Sequence, residues 1–245
     1  MRKSAVIADD FSNFSPEIAI YKGKNFNAPL PTSFVGGKFE KYLYYSAFMT
    51  NEDVVALENR ISEGHIDGIY TENYAGIIFA QERGLKVFAG VGLHIINQIS
   101  LSQLLQLPNL AYYVISKEAN NEEAACLVGE KAFYLSGGNI KIMDLCYCPF
   151  GKTCAVCDKK AIYTLTDEND RIFPTRRYIA ANGECRFEVY NCATLIGKGV
   201  KGAGLLLDFS LIDDKQQAYA AKENEQQQKN IYKTYTSGHI KRGVL

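Results

Sequence analysis

Apolar and polar positions recur at two different periods along the first 145 residues, and each change of period marks an element. SAVIAD (4–9) and EIAIYKG (17–23) are short apolar runs, one stopped by aspartates and the other by glycine, and both predict buried strands. Residues 24–40, with Pro29 and Pro31, predict a loop. A rhythm then begins: strand KYLYYSAF (41–48), helix NEDVVALENRISEG (51–64), strand DGIYTEN (67–73), helix AGIIFAQERG (75–84) and strand KVFAGVG (86–92). It continues with helix ISLSQLLQLP (99–108), strand AYYVISKEA (111–119), helix NEEAACLVGE (121–130), strand AFYLSGG (132–138) and strand IKIMDLCYC (140–148). Asn51 is placed to cap the first of these helices, Gly64 to end it and Gly84 to end the next.

Alternation of this kind builds a parallel sheet with helices outside it, either doubly wound or a (β/α) barrel. About five or six units can be counted, against the eight of a complete barrel. The expected fold class is therefore α/β, a partial (β/α) barrel-like domain over residues 1–145. In either architecture ligands gather at the C-terminal ends of the strands. Those ends are Ser46, Glu72 to Tyr74, Gly90 to His94, Ser116 to Glu118 and Asp144 to Cys148.

Beyond residue 145 the pattern changes. AIYTLTDENDRIFPTRRY (161–178) predicts a hairpin around the polar turn Asp167 to Asp170, and FEVYNCATL (187–195) and AGLLLDFS (203–210) predict further strands. Residues 211–235 predict one long polar helix capped by Asp213 or Asp214, followed by the tail TSGHIKRGVL. Residues 146–245 are expected to form a second, cysteine-rich region containing the hairpin, the long helix and the tail.

With 245 residues and 47% apolar content the chain can bury a sizeable core. Lys+Arg and Asp+Glu both number 27, so no global basic field selects nucleic acid, although a local patch would still do so. The N-terminal stretch lacks the apolar run of a signal peptide, and no segment approaches a membrane span, so the expectation is a cytoplasmic protein. In a reducing compartment seven cysteines point to metal binding or redox chemistry rather than to disulfides.

Six of those cysteines fall within residues 146–192. Cys148, Cys154 and Cys157 have the spacing C-x5-C-x2-C on one loop, and Cys185 follows on the returning chain. One loop can thus supply three thiolates and the return a fourth, and soft sulfur donors select iron–sulfur clusters or zinc. A zinc ribbon wants two C-x-x-C knuckles and only Cys154 with Cys157 makes one. A cluster, zinc, and a redox pair or unliganded thiols all stay open on spacing. Cys146 and Cys192 are spare ligands, and Cys126, within the helix at AACLV, reads as a small core residue.

ISKEA (115–119), IMDLCYCP (142–149), the loop cysteines, FPTRR (173–177), CRFEVYN (185–191), LLLDFS (205–210) and TSGHIKRGV (236–244) occur in this order over about two hundred residues. In that series the chain resembles the collagenase-like peptidase family (unassigned peptidase family 32), and most closely the C-terminal region of its longer members. The resemblance implies a barrel and a four-iron four-sulfur (4Fe-4S) cluster on Cys148, Cys154, Cys157 and Cys185. It also implies a part in oxygen-independent hydroxylation, or related redox chemistry, of an RNA base or a small aromatic metabolite. A peptidase (hydrolase) activity, as the family name states, and a non-enzymatic subunit with a structural metal site are the alternatives. Lys117 stands where the family usually has proline, and His94 where relatives tend to have asparagine. The absence of the first half of a long member implies a partner chain completing the barrel.

The candidate catalytic residues are Glu118, at a strand end, and Asp144, just before the cysteine loop; the plain reading of each is a rim carboxylate in a salt bridge. The candidate substrate-binding residues are His94, Asn97, Arg186, His239 and Arg242. For these the plain readings are a backbone-bonded histidine, an ordinary salt bridge for Arg186, and a solvated tail. A peptidase needs an activated nucleophile or a metal-bound water. The chain has neither H-E-x-x-H nor G-x-S-x-G, and its three histidines are at 65, 94 and 239.

Overall fold

The computed structural model describes residues 2–151 and 154–238. The first strands arrive as read: β1 (Ser4–Ala8), β2 (Ile18–Tyr21), then a one-turn helix α1 (Thr32–Val35) and β3 (Glu40–Tyr45). Helix α2 (Asn51–Gly64), β4 (Gly68–Thr71), α3 (Tyr74–Glu82), β5 (Lys86–Ala89), α4 (Gln98–Leu104), β6 (Leu110–Ile115), α5 (Asn121–Ala125) and β7 (Ala132–Gly138) follow. Next come β8 (Lys141–Leu145), β9 (Ile162–Thr166), β10 (Ile172–Ile179), β11 (Cys185–Tyr190) and the short β12 (Thr194–Leu195). β13 (Gly204–Asp208), helices α6 (Lys215–Ala220) and α7 (Glu225–Ile231), and β14 (Tyr235–Thr236) complete the order.

The barrel is not partial. Strands β1 to β7 run parallel in sequence order, and β13 lies between β7 and β1, pairing parallel with both, so eight strands close a ring. The count from sequence fell short because β1 and β2 have no helix between them, α1 is one turn long, and the eighth strand comes after a long insertion. No partner chain is needed to complete a ring that closes on its own strand.

The period-2 alternation divides each strand between two cores. Tyr42 and Tyr44 of β3 point into the ring while Leu43 and Tyr45 point out to the helices, and all four are buried. Aromatic side chains fill the interior: Tyr44 and Tyr70 stack at 5.3 Å, and Phe88 packs on Tyr70, Tyr42 and Phe133 at 5.0–5.6 Å. The ring is thus plugged by side chains rather than hollow. Glu40 closes its lower end, accepting from the hydroxyls of Tyr42 and Tyr112 at 2.8 Å each.

Between β7 and β13 the chain makes a four-stranded antiparallel sheet in the order β8-β11-β10-β9. The turn of its β9–β10 hairpin is at residues 167–170, as the polar run predicted. The sheet is clamped to the barrel through the start of α2. That helix is capped by Thr50, not Asn51, in a reciprocal box with Asp53. Asp53, fully buried, also accepts from the Arg186 guanidinium at 2.8 Å and from the Ala181 amide at 2.7 Å. The single long helix expected over 211–235 is two short ones, because Asn224 caps a fresh start after Ala221 ends α6. Cys126 is exposed rather than part of the core, since α5 stops at Ala125.

At the top of the ring Gly138 has φ +92°, and a Cβ there would collide with the Asp208 carbonyl. Only glycine lets β7 pass so close to β13. Two positions earlier the register slips, leaving Ser136 unpaired opposite the Leu206–Leu207 step.

Candidate functional site

The strands turn from apolar to charged at their C-terminal ends. β2 delivers Lys22 and β4 delivers Glu72, β13 ends on Asp208, and the inserted sheet brings Lys141, Asp144, Arg176 and Glu188 across the opening. Lys22 bonds Glu188 at 2.9 Å and the Tyr190 hydroxyl at 2.8 Å, and lies 4.4 Å from the centre of the Tyr44 ring. Arg176 donates to Glu188 at 3.1 Å and to the carbonyls of Lys22 and Gly23 at 2.9 and 2.7 Å. Lys141 reaches Glu72, Asp144 and the Tyr44 hydroxyl at 2.9 Å each. Lys22, Arg176 and Glu188 are 4%, 2% and 1% exposed, so an unpaired charge among them would be costly.

Three paired cations (Lys22, Lys141, Arg176) therefore meet four carboxyl groups (Glu72, Glu188, Asp144, Asp208), and the carboxyls divide. Burial opposes the charge on Glu72, but Lys141 and Lys22 override it and hold the carboxyl below its ordinary range. Glu188 is likewise lowered, its burial outweighed by Lys22, Arg176 and Lys141. Asp144 is raised, because burial and the neighbouring Glu188 outweigh Lys141, and burial raises Asp208 as well. Carboxyls with opposed shifts in one site can divide the work of proton acceptor and donor. The same carboxylates hold Lys141 well above the ordinary lysine range against its burial.

A cavity of about 380 Å³ opens beside this network, lined by Tyr70, Glu72, His94, Lys117, Glu118, Lys141, Asp144 and Asp208 among others. It brings three of the sequence candidates together: Glu118, Asp144 and His94. His94 is held at φ +50°, a conformation that costs a non-glycine residue about 1 kcal/mol, at the end of the single turn Val91–Leu93. Asn97 is not on its wall; its side chain caps α4 by accepting from Ser100 N at 2.9 Å. Arg186 is spent on Asp53 and on the Phe48 carbonyl. His239 and Arg242 lie outside the described residues.

The four cysteines fall at one end of the inserted sheet. Cys148 follows β8, Cys154 and Cys157 precede β9, and Cys185 opens β11, whose Phe187 pairs with Leu145 of β8. All are free thiols; Cys148 and Cys154 are exposed, Cys157 and Cys185 half-buried. Arg177 ties this end together, donating to Cys185 Sγ at 3.3 Å and to the carbonyls of Lys160 and Lys159. The Tyr163 hydroxyl, 3.3 Å from Cys157 Sγ, and the Lys159 amide lower the pKa of that thiol toward the thiolate a metal requires. As donors the four thiols fit a soft metal centre. Among the described residues, however, no three His, Cys, Asp or Glu side chains converge as the ligands of one ion. Cys146 is exposed and Cys192 half-buried.

Sequence reasoning placed Glu72 at a strand end without giving it a role, and missed Lys22, Lys141, Arg176, Glu188 and Asp208 as site residues. Their signal was present, since each is a charge in or directly after an apolar strand run. Among the described residues no helix is long and apolar enough to cross a membrane. No family model, curated protein or solved structure matches the chain.

Proposed function

We propose that the chain is an iron–sulfur protein acting in oxygen-independent hydroxylation, or related redox chemistry, on an RNA base or an aromatic metabolite. The reacting group would sit in the 380 Å³ cavity, and Cys148, Cys154, Cys157 and Cys185 would hold the cluster. One observation carries this reading: four free thiols share an end of the small sheet whose first strand also presents Lys141 and Asp144 to the cavity. A bound cluster would supply electron transfer. The chain's own groups would orient the substrate through Lys141 and Glu72 and move protons through Asp144 and Glu118. Metal binding would draw the exposed thiols together, as binding coupled to local folding does elsewhere.

Anaerobic purification followed by iron and sulfide analysis and absorbance near 400 nm tests the proposal. Roughly four irons per chain are expected, falling sharply in Cys148→Ser. Stoichiometric zinc without iron would overturn it.

A hydrolytic reading is favoured by the meeting of His94, Glu118 and Asp144 in one cavity. Turnover of denatured collagen that survives Cys148→Ser but is lost in Glu118→Ala would select it.

A further inference from the structure

A second cavity, of about 290 Å³, lies on the other side of Lys117 and shares Lys117, Leu135 and Ile142 with the first. Its composition is different. No carboxylate lines it, and Lys117 is the one ionisable cation on its wall among the described residues. Thr236, Ser237 and Asn191 add polar side chains to the wall, and Ile140, Ile142 and Leu195 add apolar ones. The slipped register of β7 at Ser136 and the turn at Gly199 shape this space; a Cβ at Gly199, where φ is +64°, would collide with the Ser136 side chain.

Lys117 is half-buried, and among the described residues its ammonium makes one hydrogen bond, to the Lys141 carbonyl at 3.3 Å. Every other cation of the mouth network has a carboxylate at ion-pair distance, whereas among the described residues Lys117 has none. Burial pushes its ammonium below the ordinary lysine range, and Glu72 and Glu118 offset this only in part. A cation desolvated without a counter-charge is costly unless an anion arrives to pair with it. The volume and the single charge among the described residues fit one carboxylate on a compact apolar body; a phosphate dianion would call for a second cation.

We infer that this second cavity binds a small carboxylic acid, its carboxylate paired with Lys117 and its aliphatic or aromatic body resting on Ile140, Ile142 and Leu195. The inference does not depend on the cluster or on the reaction proposed above.

Calorimetric titration of the full chain with phenylacetate and 4-methylpentanoate, each set against its neutral amide, tests it. The acids are expected to bind about tenfold more tightly than the amides at low ionic strength. In Lys117→Met the preference is expected to fall to within about twofold, and Lys131→Met, outside the cavity, should retain it. Equal binding of acid and amide by the unaltered protein would overturn the inference without any variant having to fold. So would failure of every probe to bind, or an acid preference that persists in Lys117→Met.

Discussion

The mouth of the barrel and the cysteine end of the inserted sheet are joined by β8, yet they are built in opposite ways. At the mouth, Lys22, Arg176 and Glu188 are nearly inaccessible and bound to one another at 2.9–3.1 Å, so the chain alone fixes their geometry. At the cysteine end the thiols are exposed or half-buried, and among the described residues they do not converge. On the proposed function the contrast has a reason: groups that place protons gain from salt bridges that pre-organise them, whereas metal ligands can stay apart until a metal supplies the binding energy.

Substitutions should separate the two regions by stability, most strongly at the mouth. Glu188→Ala strands Lys22 and Arg176 in the interior and is expected to cost about 3–5 kcal/mol in urea unfolding, whereas Cys148→Ala in metal-free protein should cost under about 1 kcal/mol. Similar losses in the two variants would erase the contrast. Arg186→Met removes one partner of buried Asp53, which keeps the amides of Thr50 and Ala181, so about 2–3 kcal/mol is expected.

Acid should act on the same network with mixed sign. Glu72 and Glu188 have lowered pKa values in the folded protein, so the stability they confer is present above roughly pH 4.3 and lost as pH falls through their folded values. Asp144 and Asp208 are raised, so their contribution is present at low pH and lost as pH rises through their folded values. Asp208→Asn should therefore leave stability at pH 7 unchanged or higher by up to about 1 kcal/mol, with no gain near pH 3; a loss at pH 7 would show that the carboxylate is needed ionised.

The smallest effect concerns accessibility alone. In metal-free native protein a thiol reagent should modify Cys146, Cys148 and Cys154 before Cys185, which is half-buried beneath Arg177; mass mapping of the labelled sites checks the order.

Much of the scaffold could be read from periodicity. The limits of α2 and β7 match the runs 51–64 and 132–138, and the hairpin turn falls on the polar stretch at 167–170. Local patterns could not show that LLLD at 205–208 slots between the first strand and the seventh, since ring closure is a property of topology. The site was legible where it followed a rule about strand ends, which found Glu118, Asp144 and His94. Lys22–Glu188, Glu72–Lys141 and Asp53–Arg186 pair residues far apart in sequence, and no period of 2 or 3.6 reports on such partners. Asn97 and Arg186 were read as binding groups because capping and clamping use the same side chains that ligands do.

Pairing of Ser4 with Leu205 sets a timetable for the nascent chain. Until residues 204–208 leave the ribosome, β1 and β7 are open edges of an unfinished sheet, able to pair with other molecules. Translation arrested within the inserted sheet should therefore yield insoluble product, and release of β13 is the moment from which the native ring can form.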